Sequence, residues 1–280
     1  MPATQSDRPE QGKFLMPFEI THATVPAPGG VSEAAVVTGP AFALVLDGAT
    51  ATGATTGCAH DVAWYVRQLA GLLCARLLTD GSPGLREILR TALAALVEKH
   101  GRTCDMTNAD SPSSTVAVVR ERDGALDILV LGHSPVALQR TNGAVEVIVD
   151  DRAAYLDSYA PEAVSGYRNN PAGGFWVAGA KPEAADHALT ASIPLSQIEQ
   201  FAVLSEGAAH LPERHGWSWP HFMAELSEAG PGRIITATRE AEADTAPGAF
   251  RGRANDTAAA VLCRPSEPAQ RTGRTLPSTS

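Results

Sequence analysis

Cysteine is scarce in this 280-residue chain: there are four, Cys58, Cys74, Cys104 and Cys263, with no Cys-x-x-Cys spacing among them. That excludes a dense disulfide framework. None is needed, since a single domain of this size buries roughly 75% of the surface its unfolded chain exposes. The thiols are expected to be reduced and mostly buried. Long apolar runs are missing too, and nothing approaches the roughly 20 residues of a membrane span. The first residues, MPATQSDRPEQGKF, lack the apolar core of a signal peptide, so a cytoplasmic protein is expected. Positive charge is also short. A formal net charge of −9, with Lys sparse relative to Arg, argues against a nucleic-acid surface and suits the holding of cations.

Against these absences one stretch stands out, Ala41-Phe42-Ala43-Leu44-Val45-Leu46-Asp47-Gly48. Six apolar residues between Pro40 and Asp47-Gly48 are too few, and too closely flanked by breakers, for a helix; they predict a buried strand. The strand delivers a carboxylate to a sheet end beside backbone carbonyls. Those oxygens suit a hard cation, although Asp-Gly is also a common turn.

The rest of the chain supplies the layers around that strand. Residues 1–16 read as a disordered arm and 265–280 as a disordered tail, which leaves 17–264 as one domain. Phe18–Val25 alternates in the strand period, and Ala34–Thr38 pairs with Ala41–Leu46. After a loop of small residues, apolar residues at helical spacing predict helices over His60–Leu78 and from Pro83 to Gly101. Cys58-Ala59-His60 has no second ligand pair beside it, so it reads as the start of the first helix, capped by His60, rather than as a zinc pair. An antiparallel meander is predicted next, over Thr115–Arg120, Leu126–Leu131, Val136–Gln139 and Val145–Val149, turning at Asp123-Gly124 and Asn142-Gly143. Strands at Phe175–Val177 and Phe201–Leu204, helices at Pro220–Ser227 and Arg233–Ala243, and a closing strand at Ala258–Leu262 follow. Strand and helix do not alternate. The predicted class is therefore α+β, antiparallel sheets covered by helices, and not a doubly wound parallel sheet.

Three other strand ends repeat the theme of Asp47: Ser205-Glu206-Gly207, Asn255-Asp256 and Gly132-His133-Ser134. Each alone is more often a turn than a site. Gly132-His133-Ser134 imitates the nucleophile elbow of serine hydrolases, but Pro135-Val136 follows where the elbow requires x-Gly and then a helix. Trp217, Trp219 and Phe222 read as the hydrophobic anchor of a helix.

As an ordered set these segments resemble the metal-dependent serine/threonine phosphatases of the PP2C type, and within them a compact actinobacterial branch. The resemblance runs from Ile20 to Arg264. It rests on Gly30-Val31-Ser32-Glu33-Ala34, Val45-Leu46-Asp47-Gly48, the segment Gly57 to Arg67, Pro112 to Ala117, Leu131-Gly132-His133-Ser134, Asp150-Asp151-Arg152, Gly173 to Ala178, Leu204-Ser205-Glu206-Gly207 and Asn255 to Arg264. It implies two antiparallel sheets packed face to face and flanked by helices, an α-β-β-α sandwich. It implies also that carboxylates at one end hold two Mn²⁺ or Mg²⁺ ions sharing a water that attacks a phosphoprotein. Carried over by position, Asp47 would bridge both ions, the Gly48 carbonyl would bind one, and Glu33 would hold a metal water. Glu206 and Asp256 would bind the other ion, so that Asp47, Glu206 and Asp256 are the expected catalytic acids.

The departures from that pattern are Ala34, His133 and Thr257 where the family has acids, Glu206 where it has Asp, and no Arg just upstream of Glu33. Two readings follow: a phosphohydrolase acting on phosphoserine or phosphothreonine protein, or a degenerate domain that binds metal or a partner without turnover. Neither a nucleic acid nor a membrane is expected as partner.

Overall fold

The computed structural model describes residues 18–49, 55–79, 83–156, 161–246, 248–250 and 255–266. The expected arm over 1–16 lies outside them, as does the expected tail beyond 266. In chain order come β1 (Phe18–Val25), β2 (Ala34–Gly39), β3 (Phe42–Ala49), α1 (Val62–Leu77), α2 (Leu85–His100), β4 (Ser113–Arg122), β5 (Ala125–Leu131), β6 (Val136–Arg140) and β7 (Val145–Ile148). Then follow α3 (Pro161–Tyr167), β8 (Leu189–Pro194), β9 (Ile198–Leu204), α4 (Glu206–Arg214), α5 (Trp219–Ala243) and β10 (Ala258–Pro265). The strands form two five-stranded sheets, β1-β10-β9-β6-β7 and β2-β3-β4-β5-β8, with every strand pair antiparallel.

Strand β3 shows how the layers arise. Phe42, Leu44 and Leu46 point into an apolar cluster shared with α1 and α2, while Ala43 and Val45 join the cluster between the sheets. A strand buried on both faces reads as a continuous apolar run, as this one does. Strands β9 and β10 repeat the arrangement: Phe201, Val203, Ala259 and Val261 lie between the sheets, and Ala202, Leu204, Ala260 and Leu262 face α4 and α5. The result is an α-β-β-α sandwich. No helix among the described residues is long and apolar enough to cross a membrane.

Several local expectations are corrected. The predicted meander is divided: β4 and β5 belong to one sheet, β6 and β7 to the other. The crossing occurs at Gly132-His133-Ser134-Pro135, where Gly132 takes φ +74° and its N–H is held by Asp150 Oδ2 at 2.8 Å. Phe175–Val177 is not a strand; Phe175 and Ala178 make only isolated bridges, to Arg168 and Ser114. Strand β8 and helix α4 were not foreseen. The first is an edge strand of mixed, half-exposed pattern, and the second carries Gly207 and Pro212, which hide its helical period. The two helices predicted around residue 230 are halves of α5, broken at Gly230 (φ 80°, ψ 170°) before Pro231. Helix α1 is capped by Asp61, whose side chain accepts from Trp64 N–H at 2.6 Å, and not by His60.

The inter-sheet layer is closed at one edge by Phe18 and Phe201, packed edge-to-face with centroids 5.2 Å apart. Both are essentially inaccessible to solvent. Phe201→Ala should lower unfolding free energy by about 3–5 kcal/mol, read from the urea midpoint. A loss under about 1 kcal/mol would mean that the sheets do not depend on this contact.

Candidate functional site

Both sheets end, at the same end of the sandwich, in oxygen-bearing residues. In β3 the period of two that places Ala43 and Val45 between the sheets places Asp47 on the same side. Asp47 is 9% exposed, and its backbone carbonyl accepts from Ser114 Oγ (3.1 Å) and Thr115 Oγ1 (3.4 Å). Glu33 lies just before β2, in which Ala34 stands opposite Asp47; the Glu33 carbonyl accepts from Gly48 N–H at 2.9 Å. Only glycine fits at 48, since a Cβ there would lie 2.7 Å from the Glu33 carbonyl oxygen and 2.3 Å from a Val62 methyl.

The other sheet contributes through β9 and β10. Ser205, fully buried, donates to Thr257 C=O and accepts from Ala259 N–H, both at 2.9 Å. This clasp makes Glu206 the first residue of α4 and presses Gly207 onto the backbone of Thr257, where a Cβ would meet the carbonyl oxygen at 2.7 Å. One helical turn on stands His210. Donor atoms of Glu206, His210 and Asp256 all lie within 4.8 Å of one another. The imidazole is fully buried; Nδ1 bonds Glu242 Oε1 at 2.7 Å, and Nε2 has no hydrogen-bond partner among the described residues. A histidine held through one ring nitrogen by a carboxylate, with the other nitrogen left over, is the arrangement that metal-ligating histidines adopt. Arg214 donates to Glu206 at 2.8 Å, and Arg239 donates both to Glu242 and to the Asp256 carbonyl. Burial would raise the Glu242 pKa, but the bonds from His210 and Arg239 hold it below the usual carboxylate value.

The halves adjoin where Glu33 N–H points at Thr257 Oγ1, a long contact of 3.5 Å. Beside it opens a cleft of about 410 Å³ walled by Ala27, Gly30, Val31, Glu33, Asp61 and Thr257. The expected Glu33, Asp47 and Gly48 thus stand together at the end of one sheet, and Glu206 and Asp256 at the end of the other, beside β9 and β10. Two groups had been missed. Asp61 adds a carboxylate to the cleft while capping α1. His210 follows Glu206 at i+4, a spacing that would have signalled a shared face had α4 been predicted.

Two sequence readings end differently. Ser134 is fully buried and its Oγ bonds Thr115 Oγ1 at 2.6 Å, so it is a structural hydroxyl and no exposed nucleophile. His133 is tied to Glu213, with Nε2 at 2.9 and 3.0 Å from the two carboxylate oxygens. Burial works to lower its pKa, yet the bond to Glu213 and the charges of Glu213 and Glu206 outweigh that and hold it above the ordinary value.

Comparison with known proteins bears on this geometry. The sequence profile of protein phosphatase 2C matches residues 33–234. Among solved structures, Stp1, a serine/threonine phosphatase from Staphylococcus aureus, superposes with a TM-score of 0.58 at 11% identity, covering 94% of this chain and 100% of that one. PppA, described as a key regulatory component of the T6SS in Pseudomonas aeruginosa, gives 0.56 at 17% identity over 89% and 98%. The catalytic domain of the serine/threonine phosphatase PstP, in complex with two manganese ions, gives 0.52 at 17% identity over 88% and 97%. At such identities the likeness shows the fold alone. A Streptomyces coelicolor protein described as a ketoacyl reductase is 39% identical over 84 residues, 29% of this chain and 31% of that one. The match spans less than a third of that relative, and neither sheet here has the parallel strands of a dinucleotide-binding fold.

The His133–Glu213 pair makes stability pH-dependent in a defined direction. A histidine whose folded pKa is raised stabilises the fold fully below its unfolded value of about 6.5, and the contribution fades as pH rises through the higher folded value. Glu213→Gln should therefore lower the urea midpoint most below the ordinary histidine value of about 6.5, and the gap to the parent should narrow as pH rises above it. A gap that widens with pH would contradict the pairing.

Proposed function

We propose, since the chain belongs to the protein phosphatase 2C family, that it hydrolyses phosphoserine or phosphothreonine in a protein substrate, with divalent cations held by Asp47, Glu206, His210 and Asp256. The observation that carries the reading is the meeting of Glu206, His210 and Asp256 within 4.8 Å, next in sequence to Thr257 at the wall of the Glu33 cleft. Two carboxylates and an imidazole fit a divalent ion, and the nitrogen donor favours a transition ion such as Mn²⁺ over Mg²⁺. When bound, such ions supply an acidified water and neutralise charge on the phosphoryl oxygens.

The remaining work falls to the chain. With Glu242 accepting the Nδ1 hydrogen of His210, Nε2 is the ring nitrogen left to act as a ligand beside Glu206 and Asp256. Arg214 and Arg239 restrain the outer side of the same cluster, on Glu206 and on the Asp256 backbone. Glu33 and Asp61 place negative charge on the cleft wall, where a bare phosphate would be repelled, so that substrate phosphate is accepted only together with cations.

A second reading, binding without turnover, has its own support. Three positions where family acids would stand carry no carboxylate, Ala34, His133 and Thr257, and the Thr257 hydroxyl is engaged by Glu33 N–H. Hydrolysis of p-nitrophenyl phosphate and of a phosphothreonine peptide, with and without Mn²⁺, separates the two. Mn²⁺-dependent turnover is expected, and Asp47→Asn or His210→Ala should reduce it about 10–100-fold or more, together with Mn²⁺ affinity measured by calorimetry. Mn²⁺ binding with no hydrolysis of either substrate would replace the proposal by the non-catalytic reading. Absence of Mn²⁺ binding would overturn the proposal and leave only partner binding without metal.

A further inference from the structure

Two of the chain's four cysteines and two of its eight histidines converge on one point outside the carboxylate cluster. Cys58 and His60 lie on the loop between β3 and α1. His100 is the last residue of α2 and belongs to its buried face, and Cys104 follows in the next loop. The ligand pairs Cys-x-His and His-x₃-Cys are 40 residues apart, and only the antiparallel packing of α1 on α2 brings them together. Cys58 Sγ stands 2.7 Å from His100 Nε2, 2.9 Å from Cys104 Sγ and 3.8 Å from His60 Nδ1; Cys104 Sγ is 3.4 Å from His60 Nδ1. All four donor atoms lie within 4.8 Å of one another.

A tetrahedral zinc with bonds of about 2.3 Å to sulfur and about 2.0–2.1 Å to nitrogen separates its ligand atoms by about 3.3–3.8 Å. Two of the measured edges already fall there, and the two short ones would need to open by less than about 1 Å. The surroundings are those of a thiolate site. Ala59 N–H donates to Cys104 Sγ and His60 N–H to Cys58 Sγ, each at 3.2 Å. His60 is stacked on Trp64 with ring centroids 3.7 Å apart, which fixes its ring plane. His100 is fully buried, and its Nε2 is turned into the cluster, 2.7 Å from Cys58 Sγ. Two loops are also stitched to each other independently of the four side chains, by Asp105 N–H to Gly57 C=O (2.9 Å) and Asn108 Nδ2 to Thr55 C=O (2.8 Å). The four donors are thus preorganised rather than brought near by chance.

We propose that Cys58, His60, His100 and Cys104 bind one structural Zn²⁺. Four protein ligands close the coordination sphere, which marks a structural rather than a catalytic zinc, and the soft sulfur donors select Zn²⁺ over the hard ions suited to the carboxylates. The ion clamps residues 55–60, which lead into α1, onto the end of α2. Asp61, one residue past His60, is thereby held both as the cap of α1 and as a wall of the Glu33 cleft. The proposal does not rest on the phosphatase reading, because none of the four ligands belongs to the carboxylate cluster.

The test is metal content and spectroscopy of the full chain. Protein purified from zinc-supplemented cells and passed through EDTA-free buffer should carry about one zinc per chain by mass spectrometric metal analysis. Asp47→Asn should keep that zinc, whereas Cys58→Ser with Cys104→Ser should lose it and unfold at lower temperature. Because the double variant could fail to fold, the parent protein supplies an independent readout. Replacement of its zinc by Co²⁺ should give the visible bands of tetrahedral cobalt with thiolate charge transfer, abolished by adding Zn²⁺. Parent protein that neither holds zinc nor shows those bands, or in which Cys58 and Cys104 are found joined as a disulfide, overturns the proposal.

Discussion

The geometry of the cleft depends on sheet-on-sheet packing. Asp47 comes from one sheet, and Glu206 and Asp256 flank strands of the other, so no single element can hold the acids in place. What fixes their separation is the layer of Ala43, Val45, Ala117, Phe201, Val203, Ala259 and Val261 between the sheets. Face-to-face sheets lie about 10 Å apart, a distance that leaves a cleft wherever the apolar layer stops. It stops at Asp47, Thr115, Ser205 and Thr257, each two residues beyond an inter-sheet apolar position. Alternation that builds the core in mid-strand therefore builds a ring of oxygens at its end.

That ring is costly unless every member is held. Ser205 satisfies two backbone groups of the neighbouring strand, and Ser114 and Thr115 occupy the carbonyl of Asp47. Gly48 and Gly207 stand where the backbones of Glu33 and of Thr257 come too close for any side chain. Behind Glu206, His210 and Asp256, Arg214 pairs with Glu206, Glu242 holds His210, and Arg239 ties Glu242 to the Asp256 backbone. Two carboxylates beside an imidazole are donors that suit a divalent ion.

Much of this was legible in the sequence, and what was not has a physical cause. The apolar run ending at Asp47 announced a buried strand because burial on both faces leaves no polar position to disguise it. Glu206 and Asp256 were found because each adjoins such a strand, whereas Glu33, before the half-buried β2, was legible only through the family resemblance. Helix α4 was missed because it begins immediately after β9 and contains Gly207 and Pro212, residues whose local preference is overridden by the Ser205 clasp. His210 was lost with it. The split of β4–β5 from β6–β7 could not be read either, since a hairpin pattern specifies pairing within a hairpin and not which sheet receives the next one. Cys58 and His60 lacked a visible second pair because His100 looks, in sequence, like one more residue on the buried stripe of α2.

The two donor clusters differ in chemistry as well as place. Glu33, Asp47, Glu206 and Asp256 offer hard oxygens at the mouth of the sandwich; Cys58, His60, His100 and Cys104 offer sulfur and nitrogen where the loops packed against the α1–α2 layer meet. Raw affinity for divalent ions rises toward the end of the first transition row at almost any site, so a protein that uses more than one kind of ion has to discriminate by ligand type and geometry. Separating soft from hard donors achieves that. A closed thiolate–imidazole set has no position left for substrate, and an open, carboxylate-rich cleft binds its ions loosely enough to exchange. His210 is the exception, a nitrogen donor within the oxygen cluster. Its restraint by Glu242 keeps the ring in one orientation, so that the nitrogen would contribute at one fixed position to a cluster otherwise made of oxygen.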